Sequence, residues 1–118
     1  MDRIVELGRL FDYYGSLLTP RQQNVLQQTL YEDCSLAEVA EREGMSRQGV
    51  RDALLHGEHQ LRQYEAHLHL MERADRQEKA MAALLERINA LPLSQSDRQE
   101  LEQSVAQIGA IWEEEDGI

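Results

Sequence analysis

Apolar residues recur at steps of three and four along almost the whole chain, which is the period of an amphipathic α-helix. The first run predicts one helix whose inner face holds Ile4, Leu7, Leu10, Phe11, Tyr14, Leu17 and Leu18. A second helix is predicted from Thr19, because Pro20 suits the first helical position and Gln22 can complete a capping box. The alternation typical of β-strands does not occur, so we expect an all-α protein.

The segment from Ser35 to Leu61 combines a short helix, a turn that contains glycine and a second helix. Ser35 and Glu38 predict a capping box, and Gly44 can adopt the left-handed conformation that ends a helix. Ser46 can then cap the following helix. The arrangement is typical of a helix-turn-helix, in which the second helix enters a major groove of DNA.

The start of this second helix carries the candidate nucleic-acid-binding residues Ser46, Arg47, Gln48 and Arg51. Arginine can make two hydrogen bonds to guanine, glutamine can do so to adenine, and the serine hydroxyl can contact a phosphate. The alternative interpretation is an ordinary solvated helix face. Gly49 is interpreted as a tolerated defect, whereas Gly57 is either such a defect or a point of close helix crossing.

Apolar residues then continue at a heptad spacing for three repeats and end in the stripe Leu61, Tyr64, Leu68 and Met71. A regular stripe on a helix that extends beyond its compact domain indicates a partner helix. We therefore predict a homodimer through these four residues and the C-terminal helices. The spacing slips near Asp75, which predicts either a kink at residues 74–77 or a division into two helices.

The last quarter of the chain predicts an acidic helix that Ser96 and Gln99 cap. Its apolar face would hold Leu101, Val105, Ile108 and Trp112, and would pack on a face formed by Met81, Leu84 and Ile88 or across a dimer. We expect a helix-turn-helix domain over residues 1–60, followed by a helical extension over residues 61–118 that mediates dimerisation.

The charge of the chain limits the kinds of partner it can bind. Its 118 residues include 22 acidic and 12 basic side chains, a formal net charge of −10. Such a chain repels phosphate at long range, which argues against general coating of nucleic acid. Residues 92–118 hold seven acidic residues and one basic residue, whereas residues 35–65 are nearly balanced. A specific nucleic-acid reader therefore stays open, and the acidic helix could serve solubility, contact a basic protein or cover the recognition helix.

Sequence motifs for catalysis and for nucleotide cofactors are lacking, so we expect neither an enzyme nor a cofactor. The histidines in residues 56–69 lack further ligands at a convincing spacing, and we expect exposed side chains and no metal. Cys34 is the single cysteine and is expected to be a buried, inert thiol in a reducing compartment. Apolar runs near 18 residues are lacking too, so we expect a cytoplasmic protein without membrane insertion.

The motifs FDYYGSLLTPRQ, SLAEVAE and GMSRQGV, followed by LRQYEAHL, resemble the YlxM-like family of small bacterial helix-turn-helix proteins from Arg9 to about Ala90. The helix-turn-helix part is also similar to region four of bacterial sigma factors. This resemblance implies a sigma-like N-terminal domain. Combined with the helix pattern, it predicts that domain, then a long helix and an acidic C-terminal helix.

Genes of the YlxM-like family typically neighbour those of the signal recognition particle GTPases, so the resemblance implies a regulatory role in that pathway. We expect a non-enzymatic regulatory protein that binds DNA or the RNA of the signal recognition particle. The alternative is a protein-interaction module that docks on a signal recognition particle GTPase, with the helix-turn-helix as its scaffold.

Overall fold

The computed structural model of the protein describes residues 2–111, and within that range the chain forms helices joined by short connections, without a β-strand. The predicted all-α fold is confirmed. The elements are α1 (Arg3–Tyr14), a 3₁₀ turn (Gly15–Leu17), α2 (Pro20–Leu30), α3 (Leu36–Glu43), α4 (Arg47–Leu68), α5 (Leu70–Ala90) and α6 (Gln95–Ala110). They form two compact units, the first ending at His69 and the second beginning at Leu70. Trp112, predicted on the last apolar face, lies outside the described residues.

The predicted capping signals of the first unit are confirmed. Thr19 and Ser35 each accept a hydrogen bond from the backbone N–H three residues later, and both capping boxes are complete. Gly44 ends α3 in the left-handed conformation, with φ at 64°. Ser46 Oγ accepts from the backbone N–H of Gly49 at 2.9 Å and starts α4. Each element of the helix-turn-helix therefore begins and ends where its local chemistry dictates.

The first helix is shorter than its apolar pattern predicts. It ends at Tyr14, and the 3₁₀ turn over Gly15–Leu17 redirects the chain. Gly15 is buried so closely against Phe11 that a Cβ atom there would lie 2.9 Å from the ring. The turn buries Leu18 and leaves Leu17 exposed, so only one of the two leucines joins the core.

The predicted division of the long C-terminal helix occurs, but at His69 rather than near residues 74–77. His69 adopts a left-handed conformation, with φ at 57° and ψ at 28°, and its N–H is bonded to the carbonyl of Glu65. A histidine carries only a weak sequence signal for this conformation, which is normally taken by glycine. The apolar spacing therefore indicated a break in the helix without locating it.

The core of the first unit lies where α4 packs against α1, α2 and α3. Its fully buried side chains are Leu10, Tyr14, Val25, Leu26, Val39, Val50 and Leu61. Gly57 is buried at the crossing of α4 with α2, where a Cβ atom would lie 2.9 Å from Leu26 Cδ1. Of the two interpretations of Gly57, the close helix crossing is the correct one.

The second unit is a hairpin of α5 and α6. Arg98 closes it by donating from Nη1 to the carbonyl of Ile88 at 2.8 Å and from Nη2 to that of Leu91 at 3.1 Å. Ile88 and Val105 are its buried apolar residues, and Gly109 lies against Met81. In the described part of the chain, no helix has the length and apolar character needed to span a membrane.

The predicted start of α6 was wrong, and within one chain its apolar face is incompletely covered. Ser94 rather than Ser96 caps the helix: Ser94 has an extended backbone, and its Oγ accepts from the backbone N–H of Asp97 at 3.1 Å. The predicted apolar face is also only partly buried. Val105 packs inside, but Leu101 and Ile108 are about 40–45 % exposed, because Arg98 and Gly109 also lie on the face that meets α5.

Candidate nucleic-acid interface

The helix-turn-helix core fixes the start of α4 and presents it to solvent. Val39 and Ala40 of α3 pack with Val50 of α4 and Val25 of α2 in one buried cluster. The candidate residues lie at the exposed start of the helix, and all four are accessible to solvent: Ser46, Arg47, Gln48 and Arg51. The structure therefore brings the predicted set together on one accessible surface, which we call the recognition surface.

Arg47 and Arg51 form no salt bridge with any residue in the range 2–111, which distinguishes them from the third arginine of α4. Arg62 donates to Glu6 at 2.6 Å and to Glu58 at 3.0 Å. Arg3 also binds Glu58, at 2.6 Å. The positive charge of α4 is thus neutralised in its middle and stays available at its N-terminal end.

The Glu58 carboxylate is the centre of this ion-pair network, and its side chain is only 13 % exposed. The hydrogen bond from Arg3 lowers the pKa of Glu58 below its usual value, with a further contribution from Arg62, and burial opposes the shift. The hydrogen bond to Glu6 raises the pKa of Arg62. The network fastens the start of α1 to α4 and keeps Arg62 out of reach of a phosphate.

Asp52 is a member of the recognition surface that sequence reasoning missed. Gln48 donates from Nε2 to Asp52 Oδ1 at 2.9 Å, four residues further along the helix. This bond holds the Gln48 amide along the helix and uses one of its two N–H donors, so the other N–H and Oε1 stay available to a base. The exposed Asp52 carboxylate also repels phosphate and can itself accept from cytosine. The spacing of four residues was the available sequence signal.

Ser46 and Gly49 form the tip of the recognition surface. Ser46 Oγ accepts the Gly49 N–H, which leaves its hydroxyl hydrogen able to bind a phosphate. A Cβ atom at Gly49 would lie 3.1 Å from Ser46 Oγ and 3.6 Å from the Met45 methyl group. Glycine therefore keeps the space beside the cap open, rather than being only a defect in the helix. The first turn of α4 holds no acidic side chain that would weaken its attraction for an anion.

The residues predicted to mediate dimerisation occupy different environments. Leu61 is completely buried and has no surface for a partner chain, because α1 and α2 cover that part of the stripe. Tyr64 is half-buried, with its ring centroid 6.0 Å from that of Tyr14. Leu68 is 40 % exposed and Met71 is half-buried. Leu68 is thus the member of the stripe with the most accessible surface.

The burial of Cys34 differs from the prediction, whereas the exposure of the histidines agrees with it. The Cys34 thiol is half-buried rather than buried, because it lies in the connection between α2 and α3 and accepts from Arg42 Nη1 at 3.3 Å. The four histidines are exposed, as the helical spacing predicted: His56, His59, His67 and His69.

Comparison with known proteins identifies relatives of the chain. Residues 1–108 match the family UPF0122, described as "Putative helix-turn-helix protein, YlxM / p13 like". The chain is 36 % identical to UPF0122 protein STH1464 of Symbiobacterium thermophilum over 83 % of its own length and 92 % of the relative. It is 39 % identical to a UPF0122 protein of Desulforamulus reducens, over 72 % and 73 % of the two chains.

A UPF0122 protein of Clostridium botulinum is likewise 39 % identical, over 75 % of this chain and 81 % of the relative. The family match extends on both sides of the resemblance found by motif, so that α1 and nearly all of α6 are included. The chain therefore belongs to the UPF0122 family of YlxM/p13-like helix-turn-helix proteins.

Proposed function

We propose that this protein is a non-enzymatic regulator that binds nucleic acid through the recognition surface at the start of α4. The observation that carries the proposal is the pair Arg47 and Arg51, exposed and without an ion pair among the described residues. In the first unit, Arg3, Arg42 and Arg62 are held by carboxylates. Arg21, at the start of α2, is also exposed and without an ion pair among the described residues, but Arg47 and Arg51 lie together on the helix that the helix-turn-helix presents. Direct readout of base edges requires side chains that are free to bind and that a rigid helix presents to the groove.

The geometry favours contact with a duplex groove over contact with a single strand. The recognition surface is the end of a helix, and the major groove of B-form DNA accepts a helix whereas that of A-form RNA is too deep and narrow. Arg47 and Arg51 would bind base edges, while Ser46 and the first turn of α4 would hold a phosphate. An RNA target would need a bulge or loop that opens its groove.

The resemblance to YlxM-like proteins directs the proposal towards the signal recognition particle pathway. We propose that the ligand is either a DNA site that controls genes of this pathway or an irregular segment of the particle's RNA. The net charge of −10 suits such a role, because it weakens non-specific attraction and leaves a larger share of the affinity to specific contacts.

The proposal is tested by incubating the full chain with fragmented genomic DNA and total RNA of the source organism and sequencing what is retained. The Arg47→Ala/Arg51→Ala variant is compared with Arg73→Ala/Arg76→Ala, which removes two exposed arginines of α5 and gives the same net charge. Enrichment of a defined sequence by the wild type and the α5 variant, lost in the α4 variant, supports the proposal. Enrichment that the α4 variant retains contradicts it.

A second candidate function is a protein-interaction module that docks on a signal recognition particle GTPase, with the helix-turn-helix as a scaffold. The exposed Leu55 favours it, because this leucine lies on α4 one turn beyond Arg51 and is 55 % accessible. Repeating the experiment with a lysate of the source organism distinguishes the two functions: if the GTPase is retained by both arginine variants while no nucleic acid is enriched, the docking function is supported.

We also propose that the chain forms a homodimer through the α5–α6 hairpin. The hairpin buries two apolar residues and exposes Leu84, Leu91, Leu101 and Ile108, a surface too apolar for an independent pair of helices. Leu101 and Ile108 are seven residues apart, so they lie on the same face of α6. Light scattering at micromolar concentration should give the mass of two chains, and Leu101→Asp/Ile108→Asp should give one. A wild-type monomer contradicts the proposal.

A further inference from the structure

An open groove of about 260 Å³ lies in the first unit where four helices meet. Its walls come from the start of α1, the end of α2, the start of α3 and the middle of α4. Six aliphatic side chains line it: Ile4, Leu7, Leu30, Leu36, Leu54 and Leu55. For comparison, a dry apolar cavity of about 150 Å³ holds a benzene molecule, so this groove has room for about two aliphatic side chains.

The groove is apolar and incompletely covered. Ile4 is 59 % exposed and Leu55 55 % exposed, although both lie beside leucines that are at least half-buried. The hydroxyl of Thr29, the polar group in the wall, is already bonded to the carbonyl of Val25 at 2.8 Å. A ligand in the groove would therefore contact aliphatic side chains and no unsatisfied polar atom. Such a surface favours aliphatic groups over polar ones.

The rim of the groove carries a positive charge that has no counter-charge. Arg51 lines the groove and forms no salt bridge within the described chain. Arg3 also lines it and is paired with Glu58, so these two charges cancel. An occupant with an acidic group at the position facing Arg51 would complement the rim, whereas a basic occupant would be repelled.

The secondary structure around the groove determines the form of the occupant. Its walls are helices, whose backbone groups are already bonded within each helix, so an extended peptide would find no strand edge to pair with. A helical peptide satisfies its own backbone and presents side chains at one-turn intervals. A groove with room for about two aliphatic side chains matches two residues that are three or four positions apart on one helix face.

We propose that this groove is a docking site for an amphipathic helix of a partner protein, presenting two aliphatic side chains one turn apart beside an acidic residue. The aliphatic pair fills the space between Ile4 and Leu55, and the acidic residue binds Arg51. Docking would cover part of the recognition surface, because Arg51 belongs to both. Docking of the partner helix in the groove does not require that the protein binds nucleic acid.

The proposal is tested with a phage-displayed library of random 16-residue peptides selected on the full chain. We expect enriched peptides to share two aliphatic residues at a spacing of three or four together with Asp or Glu. Affinity for them should fall at least tenfold in Leu55→Asp and in Arg51→Glu. It should not change in Leu17→Asp, which alters an exposed leucine of the 3₁₀ turn outside the groove. Circular dichroism confirms that each variant is folded.

Exchanging the charges of the peptide's acidic residue and of Arg51 tests the proposed ion pair directly. Replacing the acidic residue of an enriched peptide by Lys should abolish binding to the wild type and restore it in Arg51→Glu. Failure to enrich any such motif, or peptides that bind Leu55→Asp as well as the wild type, would overturn the proposal. Arg47→Ala separates this result from the proposed function, because Arg47 lies outside the groove and should affect nucleic-acid binding alone.

Discussion

Leu26 of α2 packs directly on Gly57 of α4, so closely that a Cβ atom at Gly57 would lie 2.9 Å from Leu26 Cδ1. Leu26 is fully buried and cannot move aside without disturbing its neighbours. This contact sets the distance between α2 and α4. Since α4 also carries the recognition surface, the crossing helps to fix the orientation in which Arg47 and Arg51 are presented.

Gly57→Ala should destabilise the first unit by a net ~1–2 kcal/mol in urea unfolding. Overpacking costs about 1–3 kcal/mol, and the better helix propensity of alanine returns at most about 1. Gly8→Ala in α1 is the matched control, because its Cβ would meet no atom closer than 3.9 Å, and it should stabilise by roughly 0.5–1 kcal/mol. In a Leu26→Ala background the cost of Gly57→Ala should disappear. If it persists there, the two side chains do not compete for space.

Glu58 should make the stability of the first unit depend on pH below neutrality. Its pKa is lowered in the folded state, so its contribution is complete above the unfolded-state pKa of about 4.3 and is lost as the pH falls through the lower folded-state value. Urea midpoints of wild type and Glu58→Gln should therefore differ most at pH 6–7 and converge towards pH 3. Glu41→Gln alters an exposed carboxylate of α3 and should run parallel to the wild type. A gap that is constant with pH would contradict the proposed network.

Ser94→Ala should destabilise the α5–α6 hairpin by about 1 kcal/mol, because it removes the acceptor for the Asp97 N–H at the start of α6. Ser96→Ala lies within the first turn and should change the free energy of unfolding by less than about 0.5 kcal/mol. Thermal unfolding followed by circular dichroism at 222 nm compares the two variants. Equal effects would place the helix start elsewhere than at Ser94.

Asp52→Asn should strengthen binding of the chain to nucleic acid, because it removes a negative charge from the recognition surface without changing the size of the side chain. The expected gain is a few-fold in affinity at low salt, declining as the salt concentration rises. Fluorescence anisotropy with a labelled DNA duplex measures it, and Asp97→Asn on α6 provides an equal charge change elsewhere. Similar gains in both variants would mean that only net charge matters.

The helix-turn-helix was predictable because its signals are local. Thr19, Ser35, Gly44 and Ser46 act within three or four residues, so their roles follow from the sequence around them. The break at His69 was not located, because a left-handed histidine depends on its surroundings rather than on a propensity. The burial of Leu61 was missed for a related reason: α1 and α2, which cover it, lie far away in the sequence.

The candidate site shows the same division between local and distant information. Its exposed arginines were predicted from helical spacing alone. Arg62 is distinguished from Arg47 and Arg51 by two ion pairs. Its pair with Glu58, four positions away, follows from helical spacing, but its pair with Glu6, 56 positions away, does not. The apolar groove beside Arg51 is likewise assembled from four helices, and no single segment of the sequence indicates it.

The most direct measurement gives the affinities of three proteins, the wild type and two double variants, at 150 mM salt. Each is measured for the nucleic-acid sequence that the wild-type chain enriches and for a shuffled version of that sequence. We expect Arg47→Ala/Arg51→Ala to lose about 1–3 kcal/mol of discrimination, a factor of about 5–150, while Arg73→Ala/Arg76→Ala keeps the wild-type value. Equal discrimination by all three proteins would contradict readout by the start of α4.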